Sequence, residues 1–334
     1  MTGQSTDDSM VASPTWMSGR AVWSTTLVVA SLFAGVTMAA DRMPAGLHPR
    51  KLLRVSLRVG ALDRSFEYYA PAARVSGSPL VILLHGSGGD GQSVRYCSGY
   101  ELEDLADRYH FIVAYPDGFR GNWNDCRKKA AYPARAQNVD DEGFLSALVA
   151  RLVAEQGVDK SRVFVAGYSN GAQLAYRLAL EVPERFVAIA AFGAGLPTDD
   201  NTVCRPVDRP IPALIVNGTA DPLNPFDGGP VPGRGTVLST KDTAAYFARL
   251  DGQGRPTTRR LPHHDPGDST FVEQTDWDTA GHAEVLLDAV HGGGHLIPQT
   301  RTSMPAHLGP MTHDLDGLNE MWSFFARQPA RVRE

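Results

Sequence analysis

The chain has 334 residues, a hydrophobic content of 43% and a formal net charge of −5. That apolar content suffices for one large buried core, and the length fits a single α/β domain. No basic block interrupts the mild acidity, so nucleic acid is excluded as an expected partner.

The first feature along the chain is Arg20, followed by an uncharged apolar stretch over 21–40 that ends in Thr37, Met38, Ala39 and Ala40 before Asp41 and Arg42. A cationic residue, a hydrophobic segment and a small-residue exit describe a secretory signal peptide. Cleavage is expected after Ala39 or Ala40. A start at Met17 would leave a tidier leader, without Asp7 and Asp8. The expected organisation is a signal peptide over 1–40 and one α/β domain over 41–334, secreted or periplasmic. The alternative is an uncleaved anchor, since about 20 apolar residues span a bilayer; membrane contact is expected only in that case. Cys97, Cys126 and Cys204 follow the stretch. In an oxidising compartment they allow one disulfide and one leftover thiol, with the pairing open. Their spacing does not resemble a metal site.

Alternating apolar and polar residues over 52–59 and 65–69 predict antiparallel edge strands. The run LVILL over 80–84 is apolar throughout, as expected of a strand covered on both faces. It stops at His85-Gly86-Ser87-Gly88-Gly89-Asp90. A helix is predicted over 101–109 and a strand over 112–115, stopped by Pro116-Asp117-Gly118. Asp140, Asp141 and Glu142 favour a helix start, and Leu145, Leu148, Val149 and Leu152 continue one apolar face to residue 156. Strands are predicted at 163–166, 186–192 and 213–216, and helices at 170–180, 243–250 and 315–326. The polar region 252–278 has room for an antiparallel pair, ending in 283–287. Strands alternating with helices predict a mostly parallel central sheet with helices on both faces.

Gly167-Tyr168-Ser169-Asn170-Gly171 fits G-x-S-x-G between an apolar strand and a helix. There a serine sits on a tight turn that exposes its hydroxyl, flanking glycines relieve the crowding, and the helix aims its positive end at a developing oxyanion. A serine hydroxyl needs a base to take its proton, usually a histidine held in one tautomer by a carboxylate. The expected chain order is serine, acid, histidine. Asp221, just past the strand at 213–216, is the candidate acid, ahead of Asp227, Asp276 and Asp278. His295, closing His291-Gly292-Gly293-Gly294-His295, is the candidate base, ahead of His291; His263, His264, His282, His307 and His313 have no comparable setting. An oxyanion needs two backbone donors. The amide of Asn170 is one, and Ser87 and Gly88 are the candidates for the second.

In order along the chain stand LLHGSGGDG, YPDG with NWND, NVDDEGF, GYSNGAQLAYRLA, NGTADPLNPFDGG and HGGGHLIP. Together they resemble the secreted esterase family that includes polyhydroxybutyrate depolymerases, feruloyl esterases and acetylxylan esterases, over residues 53–327. The resemblance implies an α/β-hydrolase fold and ester hydrolysis without a cofactor. It implies the same nucleophile, acid and base: Ser169, Asp221 and His295. Trp123, Asp140 and Asp141 match family segments, with core packing and helix capping as their expected roles. Two positions depart from the family's usual pattern: Asn217 replaces a histidine before Gly-Thr, and Leu296 and Ile297 replace threonine and tryptophan after the last histidine. The expected partner is a small or oligomeric ester, with a polysaccharide-linked one included. The rival readings are a peptidase or acyltransferase on the same fold, and a non-catalytic envelope binding protein.

Overall fold

The computed structural model describes residues 49–331 apart from residue 74; the expected signal segment 1–40 lies outside them. Two strands, β1 (Leu53–Val59) and β2 (Leu62–Tyr69), pair antiparallel. β3 (Ser78–Leu84) is buried along its whole length, as its unbroken apolar run requires. Next comes α1 (Gly91–Cys97), closed by a reciprocal cap between Asp90 and Ser93. No helix is predicted there from sequence, because Gly, Ser, Val and Cys are poor helix formers and the cap supplies the start. α2 (Glu101–Tyr109), β4 (Ile112–Pro116) and the single turn α3 (Pro133–Ala136) follow.

α4 (Asp141–Gln156) takes Asp140 as its cap, with Oδ1 accepting from the Gly143 amide at 2.7 Å. Asp141, in contrast, is no cap. Its buried carboxylate pairs with the buried Arg64 guanidinium at 2.8 Å and accepts from the Asn124 amide. β5 (Val158–Tyr168) starts five residues earlier than the apolar run implies. α5 (Asn170–Glu181) leads through a turn at Pro183–Arg185 to β6, which covers Ile189–Phe192 and not the whole of 186–192. Then come β7 (Ala213–Gly218), a small hairpin of β8 (Gly229–Val231) and β9 (Gly235–Val237), and α6 (Thr240–Leu250), capped by Ser239. The polar region holds β10 (Thr257–Arg260) and β11 (Phe271–Trp277), followed by β12 (Val285–His291); α7 (Gly317–Ala326) closes the fold.

Ten strands form one sheet in the order β1-β2-β4-β3-β5-β6-β7-β12-β11-β10. The strands from β4 to β12 in that order run parallel, and antiparallel pairs flank them on both sides. Alternate residues of β3 face opposite layers. Leu80, Ile82 and Leu84 pack with Phe144, Leu148, Leu178 and Phe247 of α4, α5 and α6. Val81 and Leu83 pack with Val94, Leu105, Met321 and Phe325 of α1, α2 and α7. Helices thus cover both faces, as expected.

Cys126 and Cys204 form the disulfide, and Cys97 is a buried free thiol. A buried carboxylate interrupts the apolar face under α7. Asp288 of β12 accepts one hydrogen bond, from Gln274 at 2.9 Å, and its other oxygen has no partner. Burial, with Glu320 nearby, pushes this carboxyl up from 3.8 to about 7. The folded state therefore keeps the proton that the unfolded chain gives up above about pH 4, so stability falls as pH rises and levels off past about 7. Asp288→Asn removes that slope: urea midpoints measured at pH 5 and pH 8 will differ less in the variant than in the parent.

Candidate active site

The site is assembled where β3, β5, β6, β7 and β12 end. Ser169 stands between β5 and α5 at φ 55°, ψ −114°. This backbone costs a non-glycine residue about 1–3 kcal/mol, and it lifts the side chain clear of both elements. The flanking glycines are needed for closeness. A methyl at position 167 would lie 2.3 Å from the Gly171 backbone, and one at 171 would lie 2.4 Å from the Leu84 carbonyl oxygen. Gly86 completes the crossing: a methyl there would meet the Tyr168 ring at 3.2 Å and Ser169 Cβ at 3.4 Å. The turn after β3 is thus pressed directly over the serine.

The turn is held from behind by groups whose roles are visible only in three dimensions. The buried His85 ring accepts from the Gly118 amide through Nε2 at 2.8 Å, so its Nδ1–H donates to the Gly86 carbonyl at 2.7 Å. Burial lowers the pKa of this imidazole and keeps it neutral, as that pattern requires. Trp123, fully buried, donates from Nε1 to the His85 carbonyl and packs its ring against the imidazole. Ser87 donates its hydroxyl to Asn122 Oδ1 at 2.8 Å.

Of the amides expected to face an oxyanion, two are available. The Asn170 amide opens α5, where no intrahelical acceptor exists. The Ser87 amide donates to no backbone carbonyl among the described residues. Gly88 requires correction: its amide donates to the Gly121 carbonyl at 2.7 Å, because the loop at 118–122 folds back against the turn. The side chain of Asn170 is anchored as well, accepting from the Trp123 amide and donating to Asp125 at 2.7 Å. Asp125 in turn pairs with Arg127 at 2.5 Å, with both side chains buried.

β7 and β12 are adjacent and parallel, and the loops leaving them bring Asp221 and His295 together. Asp221 Oδ2 lies 2.6 Å from His295 Nδ1, which therefore carries the proton. The other carboxylate oxygen accepts from the amides of Leu223 and Asn224 at 2.7 and 2.8 Å. The His295 ring is almost wholly buried and its Nε2 has no partner. The glycines before it serve packing: a methyl at 294 would lie 2.0 Å from the Leu308 carbonyl oxygen, and the His295 amide donates to that same carbonyl. Two further residues position the ring. The Tyr168 hydroxyl donates to the His295 carbonyl at 2.7 Å, and Gly193, at φ +66°, lies directly against the imidazole. No sequence signal marks Gly193; Tyr168 shows only as the aromatic in the elbow.

The rival residues sit elsewhere in the fold. His291 stacks flat on Phe271, His263 pairs with Asp314, and Asp276 lies on β11. Asn217 bonds in both directions to the backbone of Ala194, which ties the end of β7 to the loop after β6. Leu296 and Ile297 are buried. Beside the turn lies a cavity of about 50 Å³, lined by the turn itself at 86–89, by Val94, Cys97, Tyr168, Met304, Pro305 and Leu308, and by the polar Ser93 and His307. No group of three or more His, Cys, Asp or Glu side chains suited to a metal occurs among the described residues.

This sheet order, with a strained serine after β5 and an acid and a histidine after β7 and β12, defines an α/β-hydrolase. The solved acetyl xylan esterase from Aspergillus awamori has the same fold, at a TM-score of 0.55 and 19% identity, over 83% of this chain and 99% of that one. The family model described as Esterase PHB depolymerase matches residues 64–202. NocK of Nocardia uniformis subsp. tsuyamanensis, named as an esterase by assignment, is 33% identical over 234 residues, 66% of each chain. Feruloyl esterase B of Piromyces equi is 27% identical over 228 residues, 65% of this chain and 39% of that protein. The matched stretch thus spans two thirds of one relative at most and well under half of the other. The chain belongs to the polyhydroxybutyrate-depolymerase family of esterases.

Gly193 gives a direct test of the packing around His295. A methyl at that position would lie 2.9 Å from the imidazole Cε1. Gly193→Ala will displace the ring and lengthen its contact with Asp221, and the low-field proton resonance of that short hydrogen bond will be lost from the NMR spectrum.

Proposed function

We propose that the protein is an exported serine carboxylesterase whose nucleophile is Ser169, with His295 as base and Asp221 as orienting acid. The observation that carries this reading is the Asp221–His295 contact of 2.6 Å between residues 74 apart in sequence, with the opposite ring nitrogen left free. A histidine bonded in this way has its Nδ1 proton fixed, so only Nε2 can act as a base. That nitrogen takes the Ser169 proton as the oxygen attacks an ester carbonyl. The tetrahedral oxyanion is held by the amides of Asn170 and Ser87. The protonated imidazole then gives its proton to the leaving alcohol, and a water repeats the sequence to release the acid.

Feruloyl, acetyl and hydroxyalkanoate esters are the candidate substrates, soluble fragments ahead of insoluble polymer. The apolar cavity beside the Ser87 turn would receive the acyl group, since its lining offers few partners to a sugar. Export is supported by the stretch over 21–40 and by the Cys126–Cys204 disulfide, which belongs to an oxidising compartment.

The test is hydrolysis of nitrophenyl acetate and butyrate, methyl ferulate, acetylated xylan and hydroxybutyrate oligomers by the protein starting at Asp41. Ser169→Ala will lower kcat by at least about 10⁴-fold on whichever ester turns over. Asp221→Asn will cost about 10⁴-fold, because an amide can fix the wrong tautomer. A Ser169→Ala protein that still hydrolyses the ester at the parental rate would sink the assignment.

A further inference from the structure

Two guanidiniums near the site share a single carboxylate, Asp125, and one of them makes no direct ion pair. Tyr132 precedes α3, and two guanidiniums approach its ring, Arg127 at 5.6 Å and Arg234 at 5.2 Å from the centroid. They are not equivalent. Arg127 is neutralised by Asp125. Arg234, at the tip of the β8–β9 hairpin, is half-buried and has no ion-pair partner among the described residues. The Tyr132 hydroxyl beside them is buried with no partner of its own. A guanidinium withdrawn from water, resting on an aromatic face and next to a second cation, calls for an anion. With the phenolic hydroxyl, which can donate as well as accept, the guanidinium presents several donors side by side. A planar carboxylate matches that arrangement, because it accepts the arginine fork through both oxygens.

The hairpin is fixed to the same edge of the sheet as the serine. Leu238 donates its amide to the Leu196 carbonyl at 2.7 Å, and Thr198 donates to Thr236 at 3.1 Å. These partners belong to the loop that leaves β6 through Gly193, against His295. On the other side, Arg127 reaches Asn170, the residue after the nucleophile, through Asp125. The arginine pair is therefore two short contact chains away from the reacting centre.

We propose that Arg234 and Tyr132 form a recognition site for a carboxylate carried by the ester substrate, so that the protein selects esters ending in a free acid over their neutral counterparts. This rests on the serine-esterase reading above. Recognition acts on the part of the molecule remote from the scissile bond, and Arg234 is a specificity residue with no role in proton transfer.

Calorimetric binding to the Ser169→Ala protein tests it without requiring turnover. The ligands are hydroxybutyrate dimer, trimer and tetramer as free acids and as methyl esters, with sodium acetate as the free-anion arm. The free acid will bind at least about tenfold tighter than its methyl ester at one or more lengths, and Arg234→Gln will remove the difference. Tyr132→Phe will reduce it, and Arg234→Lys, which keeps the charge, will retain part of it. Equal affinity for acid and methyl ester at every length would overturn the proposal, as would a preference unchanged in Arg234→Gln. Acetate binding as tightly as the oligomers, with the same dependence on Arg234, would also overturn it, since the site would then hold a free anion and not the substrate's own. Nitrophenyl acetate turnover by the unmodified protein reports separately on the esterase reading.

Discussion

The structure depends on how closely three backbones pass one another at the serine. The start of α5 passes under the end of β3 with room for hydrogen and nothing larger: a methyl at 171 would stand 2.4 Å from the Leu84 carbonyl oxygen. The end of β5 is as tight against Gly171, and Gly86 presses the turn onto Ser169. Between those contacts the serine backbone turns at a positive φ of 55°. They also bring the turn that carries the free Ser87 amide against Ser169, next to the start of α5. The strain at one residue is maintained by the burial of β3 and β5 through both faces of the sheet.

The acid and the histidine meet for a different reason. They are far apart in sequence, and what joins them is strand order. β12 returns to lie parallel beside β7 in a register that pairs Val290 with Gly218, so both chains leave the sheet at the same height. Short local devices then finish the geometry. Two amides of the Asp221 loop hold one carboxylate oxygen, which leaves the other for His295. The Tyr168 hydroxyl ties the His295 backbone to the elbow itself, so His295 and Ser169 share one rigid support.

Much of this was legible in the residues, and the boundary has a physical cause. Strand β3 and the elbow at 167–171 are written in contiguous sequence, because a strand covered on both faces must be apolar throughout and a crowded turn must be glycine. Asp221 and His295 were reachable through the rule that such groups follow strand ends in a fixed order. Helix α1 was not, since its start comes from a reciprocal side-chain cap and its residues carry little helical preference. The hairpin β8–β9 was hidden by strands of three residues in a Gly-Pro stretch. Gly88 shows the limit for single atoms. Its position in the turn was readable, but the carbonyl that occupies its amide belongs to Gly121, in a loop beyond β4. Asp141 looked like a capping acid, and its partner Arg64 lies on β2, 77 residues earlier.

The buried Cys97 has a bearing on how the chain matures. Three thiols allow three alternative pairings, of which two involve Cys97. Exchange needs a thiolate, and burial pushes the Cys97 thiol up to about 12. Once α1 has docked on the sheet, this sulfur is withdrawn from the chemistry and Cys126 is left to find Cys204. With α1 docked, the pairing of Cys126 with Cys204 is the one route open to thiolate chemistry, whereas the unfolded chain has three.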